Sequence, residues 1–312
     1  CDHILILPGD ALYRMNYNAM VRQHIESDAD VTIAVNVTPQ DQADQFGILA
    51  INEQGVITDF REKPKNAEEQ AGLEAPAKML EQFGLGNARE PYFLASMGVY
   101  LFKRSVLHKW MSETDHIDFG KQIIPESIKT SKVLAHIFKG YWEDIGTIAA
   151  FYKAHMDMLS DHPPFEFVDH SAPVFTRARF LPTSMFAGAV MDQSVVSDGC
   201  HIGRATIRKS VVGLRARIGN QTTIEESIVM GSDFFDSEGA APWDRSKQQL
   251  PLGIGNYCHI RKAILDKNVR IGNDVKILNV NKLDSADGNF YYIREGIVLI
   301  PKNAVIPDGT VI

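Results

Sequence analysis

Cysteine is scarce in this 312-residue chain: Cys1, Cys200 and Cys258 lie far apart, with no close-spaced pair. That excludes a disulfide-stapled fold and a thiolate zinc site, and suits a reducing compartment. Positive charge is not in excess either. Lys and Arg number 32 against 39 Asp and Glu, leaving a net charge of −7. This argues against nucleic acid or a membrane surface as partner, while leaving room for a local basic pocket that holds a small anion. No apolar run approaches the length of a membrane span, and no signal-peptide pattern occurs. An initiator Met is lacking too. The chain opens on Cys1 and reaches a core-like strand by Ile4, so an upstream segment is expected, and with it any transit peptide. What remains, 45% hydrophobic and 23% charged, is an ordinary globular composition long enough for about two domains.

The first informative stretch is HILILPGDALY, residues 3–13. Four apolar residues, Ile4 to Leu7, read as a buried strand. Pro8-Gly9 then turns the chain and presents Asp10 at a strand's carboxyl end, where open α/β sheets bind ligands. A helical pattern follows at 16–26, a β-branched strand at 31–37, and a hairpin at 46–51 and 56–61 that delivers Glu62-Lys63-Pro64. Residues 65–89 read as an irregular polar excursion. A strand at 95–102, helices at 106–111 and 119–130, a strand at 133–138 and a helix at 148–159 complete the pattern of an α/β domain. YWEDIGT, residues 141–147, precedes the last of these helices.

From about residue 160 the pattern changes. HPP and SAP, at 162–164 and 171–173, read as a linker. Beyond it aliphatic residues recur every six positions: Val190, Val196, Ile202; then Val212, Ile218, Ile224, Met230; then Leu265, Ile271, Ile277. Such hexads mark a parallel β-helix, whose coils stack their aliphatics in a central column. Ile207 breaks the first run by one position, residues 231–252 read as an inserted loop, and residues 305–311 suggest a closing coil. The expected organisation is a catalytic α/β domain over 1–160, a linker over 161–185 and a β-helix over 186–312.

Asp10, Glu62-Lys63 and Asp144 each fall at the end of an expected strand and could converge on one cleft. Two aspartates facing each other suit Mg²⁺, which takes few protein carboxylates and completes its shell with phosphate oxygens. Lys63 could meet a phosphate as a point charge, and Glu62 could accept hydrogen bonds from sugar hydroxyls. Against this stand a solvated hairpin end at Glu62-Lys63 and a helix cap at Asp144.

LPGDALYRM, FGILAI, FREKPK, ASMGVYLF, DFGKQIIP and YWEDIGT, in that order and spacing, resemble the ADP-glucose pyrophosphorylases, the glucose-1-phosphate adenylyltransferases of the sugar-nucleotide pyrophosphorylase group. PVFTRARFLPTSM, SVVGLRARIG, PLGIGNYCHIRKAILDKNVRIGNDVKILN and REGIVLIPKNAVIPDGTVI extend the resemblance to essentially the whole chain. It implies a partial Rossmann-like nucleotidyltransferase domain with a mixed sheet, followed by a left-handed parallel β-helix. It further implies adenylyl transfer from ATP to glucose 1-phosphate in the service of glycogen or starch synthesis. By position, Asp10 and Asp144 match the pair that binds catalytic Mg²⁺. Lys63 matches the lysine on the sugar phosphate, and Glu62, Gly47 and Ser96 match positions around the glucose ring. Arg179, Asp266, Lys267 and Lys302 match a basic pocket between the domains of the plant and cyanobacterial members, which takes 3-phosphoglycerate as activator and phosphate as inhibitor. Homo- or heterotetramers, in a bacterial cytoplasm or a plastid stroma, complete what the resemblance implies.

The chain also departs from that pattern. Ala11 stands where the family has His, Pro8 precedes the Gly-Asp pair, and no Gly-rich loop for the ATP phosphates occurs. This stretch alone is therefore expected to be inactive. Three alternatives keep part of the pattern: a uridylyl- or thymidylyltransferase on the same sugar phosphate, a non-catalytic regulatory subunit, and a hexapeptide acyltransferase. The second is disfavoured by the presence of Asp10, Lys63 and Asp144. The third would need a catalytic histidine, and neither His201 nor His259 lies in a matching context.

Overall fold

A computed structural model describes every residue except 82, 86–88, 114–115, 117, 165–168, 171–172 and 237–249. Most of the inserted loop expected at 231–252, and parts of the 65–89 excursion and the 161–185 linker, therefore lie outside the described residues. The chain divides into two compact units, Cys1–Asp144 and Ile145–Ile312. Among the described residues no helix is long and apolar enough to cross a membrane.

The first unit is built on β1 (His3–Ile6), β2 (Ala11–Tyr13), β3 (Val31–Pro39), β4 (Gly47–Ile51), β5 (Ile57–Glu62), β6 (Tyr92–Lys103), β7 (Val133–Ile137) and β8 (Trp142–Asp144). The main sheet runs β5-β4-β6-β3-β7, with β1 also on β6; β3 and β7 are parallel and the other pairs antiparallel. The sheet is thus mixed. β3 lies between two neighbours, and its Val31, Ile33 and Val35 are fully buried, as a β-branched run with partners on both sides should be. The expectation of a buried strand at Ile4–Leu7 needs correction. β1 ends at Ile6, is half-buried throughout, pairs only with β6, and leaves Leu7 46% exposed. An apolar run does not reveal how many neighbours it will have. The helix at Tyr17–Glu26 begins where expected, because the Asn16 side chain accepts a hydrogen bond from the Asn18 N–H.

The second unit opens with a helix, Ile148–Asp157. Its Ile148, Phe151 and Met156 pack against Ile228, Ile264 and Ile297, and Tyr152 Oη donates to the Glu226 carbonyl at 2.7 Å. By contacts this helix packs on the coils, within the second compact unit.

The coils form three sheets of parallel strands, one of them extended by an antiparallel pair, Ser285–Asp287 and Tyr292–Arg294, beside Ile297–Ile300. One inner column is Phe186, Ile202, Ile218, Ile254, Ile271 and Ile306. A second is Met191, Ile207, Ile224, Ile260 and Ile277, and a third Val196, Val212, Val229, Leu265 and Ile300. Two expected members are displaced by one position. Met191 rather than Val190, which is 59% exposed, takes the second column, and Val229 rather than Met230 takes the third. The cause is a side of the coil that spans five residues instead of six, as between Ile202, Ile207 and Val212. Corners are tied by side chains that accept backbone N–H groups from the neighbouring coil. Ser194, Ser210 and Ser227 accept from Ser210, Ser227 and Ala263. Asn220, Asn256, Asn273 and Asp308 accept from Arg204, Asn220, Asn256 and Asn273. These ladders satisfy backbone groups that the turns take out of the sheets.

Candidate functional site

Asp10 and Asp144 are 134 positions apart in the chain and are brought together by a two-stranded ribbon. β2 pairs antiparallel with β8, with Ala11 directly opposite Asp144 and Tyr13 opposite Trp142. Asp10, the residue before Ala11, therefore lies beside Asp144 at the same end of the ribbon. Asp144 is not the cap of the following helix. Thr147 fills that role, its Oγ1 accepting from the Ala150 N–H at 3.1 Å.

One cleft in the first unit is lined by both aspartates and by Gly47, Glu62, Lys63 and Ser96, so all six expected residues share it. Gly47 pairs with Glu62 across the β4–β5 hairpin. A Cβ on Gly47 would lie 2.5 Å from the Phe60 ring and 2.8 Å from Glu62 Oε2, and one on Gly120 would lie 2.9 Å from the same oxygen. The Glu62 carboxylate thus fills space that two missing side chains leave. Burial raises its pKa above the usual carboxylate range, with the charge of Asp118 adding and Lys63 and Lys121 opposing. A carboxylate so poorly hydrated gains from hydroxyl donors. Lys63 has φ +51°, a left-handed backbone that a residue with a Cβ seldom adopts, and its N–H is held by the Phe46 carbonyl at 3.0 Å. Strain of this kind persists where surrounding contacts fix it, here on the lining of the cleft.

β6, the neighbour of β4 in the sheet, adds Ser96, Met97, Gly98 and Tyr100 to the lining. Its register with β3 shifts between Ile33 and Val35, and Gly98 in the bulged stretch takes φ +71°. The Pro8 ring lies over that glycine, 3.4 Å from where a Cβ would be. Ser96 Oγ and Tyr100 Oη, on either side of the bulge, are 3.5 Å apart. Tyr100 stacks on Phe119 with centroids 5.7 Å apart, and Phe46 meets Trp142 at 4.8 Å. Burial raises the Tyr100 pKa, with Glu62 and Asp118 adding to the effect, so the phenol stays a donor.

Gln45, Tyr100, Asp118, Gly120 and Trp142 also line the cleft, and residue-by-residue reading did not assign them. Tyr100, Asp118, Gly120 and Trp142 fall in the segments ASMGVYLF, DFGKQIIP and YWEDIGT, which carry the resemblance, whereas Gln45 falls in none of them. Asp118 caps the π-turn at Phe119–Ile123 by accepting from the Lys121 N–H at 2.8 Å, and this places it next to Glu62.

The residues fit a magnesium ion. Among the described residues no group of three or more His, Cys, Asp or Glu side chains could form a closed metal site. A carboxylate pair open to a cleft is the donor set that Mg²⁺ uses when substrate phosphates complete its shell.

The four expected effector residues are only partly assembled. Arg179 and Lys267 line one cavity in the second unit with Arg177, Arg215 and Asp233. Lys302 is not on its lining but pairs with Asp233 at 2.9 Å. Asp266 does not line it either; its Oδ1 accepts from the Lys267 N–H at 2.6 Å. Sequence reasoning missed Asp233, which opens the inserted loop, outside the hexad pattern.

Two family comparisons match successive parts of the chain, with the boundary between them later than that between the compact units. The family of GLGC left-handed parallel β-helix domains matches residues 179–311, which sets the hand of the coils. The nucleotidyl transferase family matches residues 1–161, just over half of the chain and the whole of the cleft. The α/β sheet with its paired aspartates is a nucleotidyl transferase fold, and the chain belongs to that family, carrying behind it a β-helix of the GLGC kind.

Proposed function

We propose that this protein transfers an adenylyl group from ATP to glucose 1-phosphate, forming ADP-glucose and pyrophosphate for glycogen or starch synthesis. The observation that carries this reading is the shared cleft. A carboxylate pair, a lysine, and a glutamate set between two glycines stand on one surface though they come from distant parts of the chain.

The reaction needs alignment and charge neutralisation more than a protein nucleophile. A phosphate oxygen of glucose 1-phosphate attacks the α-phosphorus of ATP in line, and pyrophosphate leaves with the bond that breaks. Lys63 holds the sugar phosphate as a point charge, so the attacking oxygen is oriented while the ester remains a nucleophile. Glu62 accepts from ring hydroxyls, and Ser96 and Tyr100 offer further polar contacts from the neighbouring strand β6. Asp10 and Asp144 would hold Mg²⁺, which when bound neutralises charge on the phosphates of the nucleotide. Arg179, Lys267 and Lys302 serve a separate role as an anion pocket for effectors such as 3-phosphoglycerate and phosphate.

The test uses the protein as its gene encodes it, with glucose 1-phosphate, Mg²⁺ and each of ATP, UTP and dTTP, following pyrophosphate release. ATP is expected to be preferred, and Asp144→Asn to lower turnover by about 10³-fold. Preference for UTP or dTTP would overturn the ADP-glucose assignment. Undiminished turnover in Asp144→Asn would overturn the site.

A further inference from the structure

The basic cavity of the second unit holds an anion of its own. Asp233 lies on the strap Gly231–Asp236 that opens the inserted loop, and its carboxylate receives Lys267 Nζ at 2.8 Å and Lys302 Nζ at 2.9 Å. The strap is pinned at this point. Ser232 N–H donates to the Leu214 carbonyl at 2.8 Å, Asp233 N–H to Asn268 Oδ1 at 2.8 Å, and Asn268 Nδ2 to Asp233 Oδ2 at 3.2 Å. Arg215, on the same lining, donates to the Ser232 carbonyl at 3.2 Å.

We propose that Asp233 is a built-in competitor for the oxyanion that this pocket takes: it occupies the two lysine ammonium groups and sets how much free anion is needed to draw them away. This rests on the anion-pocket reading given above and adds a residue with the opposite sign of effect. The backbone tether and the second bond from Asn268 keep the carboxylate in place, so the lysines are the moving parts, on long flexible stems. Both lysine side chains are also partly open to solvent, at 38% and 50% exposure, which leaves room for an incoming anion beside them. The lysines hold the Asp233 carboxyl well below the usual carboxylate range, so it stays charged throughout physiological pH. A dianion can outbid a single carboxylate for two ammonium groups, and a monoanion gains little by the exchange. The pocket therefore discriminates in favour of phosphate and phosphate esters.

The experiment titrates inorganic phosphate into the full chain and into Asp233→Asn, Asp233→Ser and Lys267→Gln, with binding read by calorimetry and folding by circular dichroism. Removing one screened unit charge a few ångströms from the lysines is expected to tighten phosphate binding about fivefold in Asp233→Asn. Lys267→Gln is expected to weaken it. Unchanged or weaker binding in Asp233→Asn, with weakening in Lys267→Gln, would overturn the competitor role and leave the pocket standing. Identical titrations for the native chain and all variants would overturn the pocket and the competitor together. Asp233→Ser answers the same question should the asparagine variant not fold.

Discussion

Glu62 and Asp233 are both carboxylates beside lysine, and their proton affinities move in opposite directions. Glu62 sits between Gly47 and Gly120, and burial raises its pKa although Lys63 and Lys121 pull the other way. Asp233 lies on an exposed strap with two ammonium groups in direct contact, and its pKa falls. Two things differ: Lys267 and Lys302 bond the Asp233 carboxylate directly, whereas Glu62 is more withdrawn from water, feels its lysines without such bonds and has Asp118 as an anionic neighbour. A half-buried carboxylate is left short of donors and suits neutral hydroxyls. An exposed, doubly paired one behaves as a permanent charge and suits exchange with other anions.

The contrast breaks most severely at Gly47. Gly47→Ala drives a Cβ into the buried Phe60 ring as well as into Glu62. Overpacking of that kind should cost about 3 kcal/mol in thermal or denaturant unfolding. Displacement of the carboxylate should raise the KM for glucose 1-phosphate on the order of tenfold to a hundredfold. Gly120→Ala meets the carboxylate end of Glu62 first, at 2.9 Å from Oε2, and should raise KM with a smaller loss of stability. Equal losses in the two variants would show that Phe60 is not the rigid element.

A smaller effect sharpens the same contrast through pH. A carboxyl group whose folded pKa is raised favours folding while protonated, and that contribution is lost as pH rises from the unfolded value through the folded one. Glu62→Gln removes the cost of the buried charge. Its melting temperature should exceed that of the native chain at pH 7, and the gain should vanish as pH falls below about 4. Asp233→Asn should do the reverse, losing stability at pH 7 and converging with the native chain under strong acid. Parallel melting curves against pH would mean that burial does not separate the two sites.

How much of this was legible in the sequence depended on how local each signal was. The hexad aliphatics announced the β-helix, and the expected elements of the first unit lie within a few residues of those observed. The phase slipped at Val190 and Met230, because a coil side of five residues is indistinguishable by spacing from a chance offset. The pairing of Asp10 with Asp144 was expected from strand ends, but the ribbon that achieves it consists of two three-residue strands too short to carry a pattern. Asp118 and Gly120 reach Glu62 only through the order of the sheet and a π-turn, and neither has periodicity. Asp233 was silent for another reason. It belongs to an insertion, and its meaning comes from lysines on two later coils, 34 and 69 positions downstream.

The smallest expected effect asks what braces the exposed side of the contrast. Asn268 is buried at 5% exposure, has φ +62°, and bonds both the N–H and the carboxylate of Asp233 as well as Asn303 Oδ1 at 3.2 Å. Its backbone conformation and its side-chain bonds can be separated by two substitutions. Asn268→Ala loses the bonds and sets alanine, which tolerates the left-handed region less well than asparagine, at φ +62°, and should cost about 2 kcal/mol. Asn268→Gly loses the same bonds but adopts that region freely, so it should cost only about 1 kcal/mol. The difference, read from chemical unfolding of the β-helix unit, measures what a Cβ costs at this left-handed corner. The glycine loss measures the tether on Asp233. Equal losses would mean that a Cβ costs nothing at the left-handed corner and that the side-chain ladder alone holds the strap in place.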